Sequence, residues 1–173
     1  EYFRHINMGW NYRMSELCCA VALAQTEKIS DVVDKRKLAG QRFKEILSDA
    51  SDLAKLQQFD SAIYEHSYWA FPFILNTDRV SWKDFREKFM ANGGDAFYGA
   101  WQLTYNEPCF QTGQLLGREN FISKNNLNKY KFEKCKNAEQ IQPRLIALKT
   151  NYWNDTDLEV QLMALNKTMK DLL

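Results

Sequence analysis

The residues best suited to chemistry lie near the start of the chain, in the run Gly9-Trp10-Asn11-Tyr12-Arg13-Met14-Ser15-Glu16. An amide, Asn11, and a guanidinium, Arg13, stand there just before a stretch of helical composition. The first turn of a helix offers unpaired N–H groups and positive dipole, and an arginine adds a fork of donors, so the cluster is typical of an anion site. Alternatively, Asn11 and Ser15 only cap the helix and Arg13 meets a surface carboxylate.

Other signatures of catalysis or metal binding are missing from the sequence. It contains no glycine-rich phosphate loop, no G-x-S-x-G turn and no H-E-x-x-H motif. His5 and His66 fall in expected loops and lack ligand spacing to any cysteine. The cysteines form no C-x-x-C pair, so we expect neither a zinc site nor disulfides, but buried, reduced thiols. These cysteines are Cys18, Cys19, Cys109 and Cys135.

Length and composition limit the class of protein. The 173 residues suffice for one domain, and 11 Phe, 8 Tyr and 5 Trp supply its core. The net charge is only +1, so we expect no binding to nucleic acid or to an anionic membrane. No apolar run approaches the roughly 18 residues of a membrane span. The chain begins at Glu1 without a leader, so we expect a cytoplasmic protein that starts within a longer gene product.

Hydrophobic periodicity predicts the helices that position these residues. Residues 15–48 should form two helices or one kinked helix, with Ser30 as N-cap of the second part. Another begins near Ser81 and ends at Asn92-Gly93-Gly94, because glycine accepts the left-handed C-cap conformation. Further helices are predicted at 134–142 and 156–173.

Alternating apolar residues predict a strand at 53–58, and aromatic and branched residues predict a stronger one at 68–75. Further strands are predicted at 95–101 and 144–149. Pro72 cannot donate to a ladder, so it predicts an edge position or a bulge in the second strand. The short connection between the first two strands makes them antiparallel, and the order of elements gives an α+β class. Residues 102–133 read as a long polar loop of the functional or mobile kind.

A longer segment around the anion cluster carries a family resemblance. Residues 9–29, GWNYRMSELCCAVALAQTEKI, resemble the pattern G-x-N-Y-R-M-[ST]-E-x-x-A-A-x-A-x-x-Q-L-x-x-L of the DegT/StrS-type sugar aminotransferases. Two later stretches agree in order, EPCF at 107–110 and NAEQIQPRLIAL at 137–148. The resemblance therefore covers nearly the whole chain, most closely over residues 9–47.

The resemblance implies a fold and a domain division. Such enzymes are pyridoxal-phosphate transferases of fold type I, and this chain is similar to their small C-terminal domain, a mainly antiparallel sheet flanked by helices. Residues 1–14 would be the leading segment, 15–48 the linking helices and 49–173 the small α+β domain. The family's cofactor-binding lysine lies upstream of N-Y-R-M, so no catalytic residue is expected in this chain and the fragment alone should be inactive.

The resemblance also implies roles for single residues. In family dimers the position of Asn11 reaches the neighbouring subunit's cofactor phosphate, and that of Arg13 faces acidic groups of the substrate. The histidines that many members carry are missing from residues 94–105, which leaves aromatic candidates for the sugar-nucleotide side of the pocket. These candidates are Tyr98, Trp101 and Tyr105. For Trp101, core packing is an equally good interpretation.

The expected function is thus transfer of an amino group from glutamate to a nucleotide-linked keto-sugar, for deoxyamino sugar synthesis, by a homodimer that uses pyridoxal 5'-phosphate. No metal is expected. The alternative is a non-catalytic interaction or regulatory module of the same fold. The residues do not indicate which sugar, sugar carbon or nucleotide is used.

Overall fold

The computed structural model describes residues 12–97, 99, 102–112 and 134–173. The helices are α1 (Glu16–Thr26), α2 (Ile29–Ser48), α3 (Trp82–Ala91), α4 (Pro108–Thr112), α5 (Lys136–Ile141) and α6 (Asp155–Leu172). The strands are β1 (Ala54–Leu56), β2 (Ala70–Leu75) and β3 (Leu145–Lys149). Single 3₁₀ turns occupy Thr104–Asn106 and Gln142–Arg144.

The three strands form one antiparallel sheet in the order β1-β2-β3. Inward and outward residues alternate along β2, so that Phe71, Phe73 and Leu75 are buried on one face. The register sets Phe71 opposite Leu148 and Phe73 opposite Ile146, so β3 adds to the same apolar face. The predicted α+β class with an antiparallel sheet flanked by helices is therefore confirmed.

Helices α2, α3 and α6 cover this face and complete the core. Phe43 of α2 lies against Phe71 with ring centroids 5.7 Å apart, and Phe85 of α3 meets Phe73 edge-on at 5.8 Å. From α6, Leu162 and Leu165 join the same buried cluster. Burying large side chains at about 1.5–3 kcal/mol each makes this layer the main source of stability.

The prediction that Pro72 marks an edge strand is wrong, because β2 is the central strand of the sheet. One side of β2 nevertheless needs no backbone donor at this position. β1 has only three residues and pairs with Phe73–Leu75, so it ends before Pro72. The side of β2 next to β1 therefore carries no ladder at Pro72, where a residue without an N–H is tolerated.

Two helix boundaries follow the sequence signals and one does not. The Ser81 hydroxyl accepts a hydrogen bond from the Asp84 N–H at 3.1 Å, and Gly93 follows α3 with a φ of +96°, both as predicted. The prediction that Ser30 caps the second helix is wrong. α2 begins at Ile29 after Lys28, which makes no side-chain cap, so residues 15–48 are two helices and Ser30 lies inside the second.

The predicted strand at 95–101 is wrong for the residues that the structure describes there. Asp95–Phe97 pair with side chains and not with a neighbouring strand. The Asp95 N–H donates to Oε1 of Gln161 at 2.7 Å, and the Phe97 carbonyl accepts from Nε of Arg86 at 2.8 Å. The predicted loop at 102–133 contains α4 and a 3₁₀ turn in its described part, and its residues 113–133 lie outside that part.

Tyr68, just before β2, has a positive φ of 49°, which is unusual for a bulky residue. Its ring packs on α2 at Gly40, where an added Cβ would lie 2.6 Å from Cγ of the tyrosine. Glycine is therefore required in the middle of α2 because the aromatic ring occupies the space of its side chain.

We predict that Gly40→Ala lowers the free energy of unfolding by about 1–3 kcal/mol, since the added Cβ would displace the Tyr68 ring from its packing on α2. Urea denaturation measures the change. In the Tyr68→Ala background the same substitution should become neutral or stabilise by up to about 1 kcal/mol, the helix propensity gain of alanine. Equal destabilisation in both backgrounds would show that the ring contact is not the cause.

Candidate functional site

The predicted anion cluster lies at the N-terminus of α1. Arg13 is exposed and lies three residues before Glu16, where the helix begins. The Ser15 hydroxyl caps the helix by accepting from the Cys18 N–H at 3.4 Å. Ser15 thus has the capping role of the simpler interpretation. Asn11, the predicted phosphate ligand, lies outside the described residues. The described part of the cluster is an exposed guanidinium beside a capped helix terminus.

No residue of α1 is buried by the part of the chain that the structure describes. Its large apolar side chains are exposed, Leu17 at 78% and Val21 at 58%. We call the side chains of Met14, Leu17, Val21 and Leu23 the α1 surface. An apolar helix of this kind is stable when another protein surface covers it.

The prediction that the cysteine thiols are buried is wrong. Cys18, Cys19 and Cys135 are exposed and Cys109 is half-buried. Two of these lie on α1, so their exposure has the same cause as that of the α1 surface: the described chain places nothing over the helix.

Of the three aromatic candidates, Tyr98 and Trp101 lie outside the described residues. Tyr105 is half-buried in the turn before α4, and its hydroxyl donates to Oε1 of Glu139 on α5 at 3.3 Å. Gln111 donates to its carbonyl oxygen. Burial, with the nearby Glu139 carboxylate, raises the pKa of Tyr105. The hydroxyl is therefore a neutral donor that α5 holds in place.

A polar junction that the sequence analysis missed joins α2 to both longer strands. Nη1 of Arg36 donates to the Trp69 carbonyl at 2.8 Å and to the Thr150 hydroxyl at 3.2 Å. The Thr150 hydroxyl in turn donates to the Tyr68 carbonyl at 2.5 Å, and Thr150 is only 1% exposed. We call Arg36, Thr150 and these two carbonyls the polar junction. No local pattern marks it, because its members are 114 residues apart.

A broad cavity of about 600 Å³ lies between α2 and the segment before β2. Lys37, Lys44 and His66 are among its lining residues. Nδ1 of His66 accepts from the Tyr68 N–H at 2.9 Å, so in the neutral ring the proton is on Nε2. The imidazole also stacks on the Tyr68 ring at 4.3 Å. This histidine orders the turn before β2, which favours a structural role.

Lys37, a lysine that lines this cavity with His66, does not have the environment of a Schiff-base lysine. Lys37, which is half-buried, pairs with Glu65. The hydrogen bond and the charge of Glu65 raise the pKa of this lysine, whereas a nucleophilic lysine needs a lowered one. Within the described part of the chain there is no group of three His, Cys, Asp or Glu that could hold a metal, and no helix is long and apolar enough to cross a membrane.

The sequence model of the DegT/DnrJ/EryC1/StrS aminotransferase family matches residues 1–159. The chain belongs to this family. A curated relative, the GDP-perosamine synthase of Escherichia coli O157:H7, is 27% identical over 73 residues, which are 42% of this chain and 19% of that protein.

Two solved structures share the fold of this DegT-family chain. An aminotransferase from Psychrobacter cryohalolentis superposes with a TM-score of 0.75 over 97% of the chain, at 14% identity. Helicobacter pylori PseC, an aminotransferase involved in the biosynthesis of pseudoaminic acid, does so with a TM-score of 0.67 over 95%, at 17% identity. The chain spans 42% and 40% of the length of these two structures.

Tyr152, which follows β3, has a strongly raised pKa, and this pKa bears on stability. Its ring is buried, and the Lys149 ammonium lies 5.0 Å from the ring centroid. Burial first, and then the carboxylates of Asp95 and Asp157, raise the pKa of Tyr152 far above the ordinary value of tyrosine. The folded protein therefore resists loss of this proton.

We predict that Tyr152 makes the protein lose stability in alkali. Because its pKa is raised on folding, the stabilising contribution is complete below about pH 10 and falls above it by at most about 1.4 kcal/mol per pH unit. Urea denaturation between pH 8 and pH 11 measures the slope. Tyr152→Phe should reduce the slope above pH 10, and Tyr64→Phe, at an exposed tyrosine, should not. Identical slopes for all three proteins would contradict the prediction.

Proposed function

We propose that this chain is the part of a pyridoxal-phosphate-dependent sugar aminotransferase that completes the active site of a neighbouring subunit. The observation that carries the proposal is the exposed guanidinium of Arg13 at the start of a helix that its own described chain leaves uncovered. A cation at an apolar helix end acts much more strongly on a ligand when a second surface excludes water from it. Membership of the family supports an aminotransferase as the parent protein.

The donors at this end of the chain suit the cofactor. Pyridoxal phosphate, when bound, supplies the electron sink for moving an amino group. Its phosphate is an anion, and the amide of Asn11 with the N-terminus of α1 would provide neutral N–H donors for it. In the family that the sequence resembles, the lysine that holds the cofactor lies upstream of the N-Y-R-M segment, so we assign it to a region beyond the fragment and expect the fragment alone to be inactive.

The substrate role falls to Arg13. A guanidinium binds carboxylate and phosphate through two parallel hydrogen bonds, so it suits either glutamate as amino donor or a nucleotide-linked keto-sugar as acceptor. The relative named GDP-perosamine synthase supports a sugar nucleotide. Tyr98, Trp101 and Tyr105 would contact its sugar or base, and the Tyr105 hydroxyl that Glu139 orients is the described member of this set.

The same geometry supports the proposal of contact across a homodimer. The α1 surface bears large exposed apolar side chains next to Arg13 in sequence, so covering it with a second subunit would bring the guanidinium to that subunit's cofactor and substrate. We accordingly infer a cytoplasmic homodimer that acts in the synthesis of deoxyamino sugars.

We predict that Arg13→Gln in the complete enzyme raises KM for the anionic substrate about tenfold or more. A charge-assisted hydrogen-bonded pair contributes roughly 1.5–3 kcal/mol, and the amide replaces the fork with a single neutral group. Steady-state kinetics with glutamate and with the keto-sugar nucleotide varied in turn would show which substrate depends on the arginine.

Arg79→Gln, at an exposed arginine between β2 and α3, is the matched control and should leave both KM values unchanged. Unchanged values for Arg13→Gln as well would remove the substrate role. If the complete protein neither absorbs visible light after addition of pyridoxal phosphate nor transfers amino groups, a non-catalytic module of the same fold would replace the enzyme.

We predict that the double substitution Leu17→Asp and Val21→Asp converts the dimer into monomers, because it places two carboxylates in an apolar contact. Light scattering would give half the molar mass of the parent protein. The circular dichroism spectrum should stay the same, since neither side chain is part of the described core.

Met163→Asp provides the control, since this methionine is 70% exposed on α6. It should leave the molar mass unchanged. A double variant of α1 that remains dimeric would place the subunit contact elsewhere and would leave Arg13 without a route to a partner's active site.

A further inference from the structure

A second, smaller cavity lies where the end of α1 and the start of α2 approach the connection between β3 and α6. Its volume is about 190 Å³. The lining residues are Gln25, Val32, Lys35, Arg36, Thr150, Asn151, Tyr152 and Trp153. A volume of liquid water this size holds about six molecules, so the cavity can take an ion or a small acid but no nucleotide.

The charges of this cavity have one sign. Lys35 and Arg36 supply two cations, and Gln25 and Asn151 supply amides, whereas the lining contains no Asp or Glu. The ammonium of Lys35 is held in place by the Trp153 carbonyl, which accepts from Nζ at 2.8 Å. Two fixed cations without a carboxylate in the lining favour a bound anion.

Arg36 presents a geometry that fits such an anion. Its Nη1 is committed to the Trp69 carbonyl and the Thr150 hydroxyl within the polar junction. In the described part of the chain its Nε and Nη2 donate to no other group, and neither is a buried atom without a partner. These two N–H groups form one edge of the guanidinium, which binds a carboxylate or phosphate side-on.

We propose that this cavity binds a small oxyanion, through a carboxylate or phosphate group that lies against the Nε–Nη2 edge of Arg36 and is neutralised further by Lys35. The polar junction anchors the guanidinium from its other side, so the donor edge is ordered before the anion arrives. Gln25 lies on α1 and Asn151 follows β3, so the anion would join the first helix to the sheet.

Titration of the full chain with sodium phosphate, and separately with sodium glutarate, tests the site. Sodium chloride keeps the ionic strength constant. The indole N–H resonance of Trp153, identified with Trp153→Phe, reports binding, because this tryptophan lines the cavity. We expect a saturable shift with both anions. The tighter of the two identifies the ligand as a phosphate or as a carboxylate.

Lys35→Met and Arg36→Lys should each weaken binding at least fivefold. Arg36→Lys keeps the charge and removes the paired donors. Lys35→Met is needed because Arg36→Lys also weakens the polar junction and could unfold the protein. Lys44→Met removes the same charge from the far part of α2 and should leave the affinity unchanged. A shift that does not saturate, or an equal loss in Lys44→Met, would show charge screening only and would overturn the proposal.

Discussion

The buried hydroxyl of Thr150 connects three elements that are far apart in the sequence. It donates to the Tyr68 carbonyl at the start of β2, follows β3, and accepts from Arg36 of α2. A left-handed conformation at a bulky residue costs of order 1–3 kcal/mol, and a net hydrogen bond to a charged group contributes roughly 1.5–3 kcal/mol. The polar junction therefore offsets the strain at Tyr68, whose ring in turn requires Gly40. Helix, turn and sheet are fixed by this one set of contacts.

The first two helices differ because their partners differ. α2 presents Phe43 and Leu47 to the sheet and is covered by its own chain, whereas α1 is apolar on several sides and the described residues bury none of it. Intrinsic helix propensity does not account for such a surface, since eleven residues form only a marginal helix alone. The functional proposal depends on this difference. A cation such as Arg13 becomes effective where a second subunit removes water from the end of α1.

The sequence predicts those elements whose signals are local. Strand β2 and the cap at Ser81 were placed correctly because strand composition and capping involve neighbouring residues. The predictions failed where contacts between distant residues determine the local structure. Gln161 and Arg86 bind the backbone of Asp95–Phe97, where a strand was predicted. The short β1 allows Pro72 to lie in a central strand. For the site, the family motif indicated Arg13. No local sequence pattern marks the exposure of the α1 surface or the contacts of the polar junction.

Arg13 and Arg36 show why residue type alone does not assign a role. Arg13 lies just before α1, and Arg36 lies in α2. Arg36 has one side of its guanidinium bound to a carbonyl and a buried hydroxyl, so its first contribution is to the fold. The proposed ligand would use the opposite edge, and the cavity that Arg36 lines would limit its size. Arg13 precedes a helix that no described residue covers, so the ligand proposed for it would need a second surface. The two arginines therefore differ in what surrounds them, a buried junction within the fold for Arg36 and an uncovered helix for Arg13.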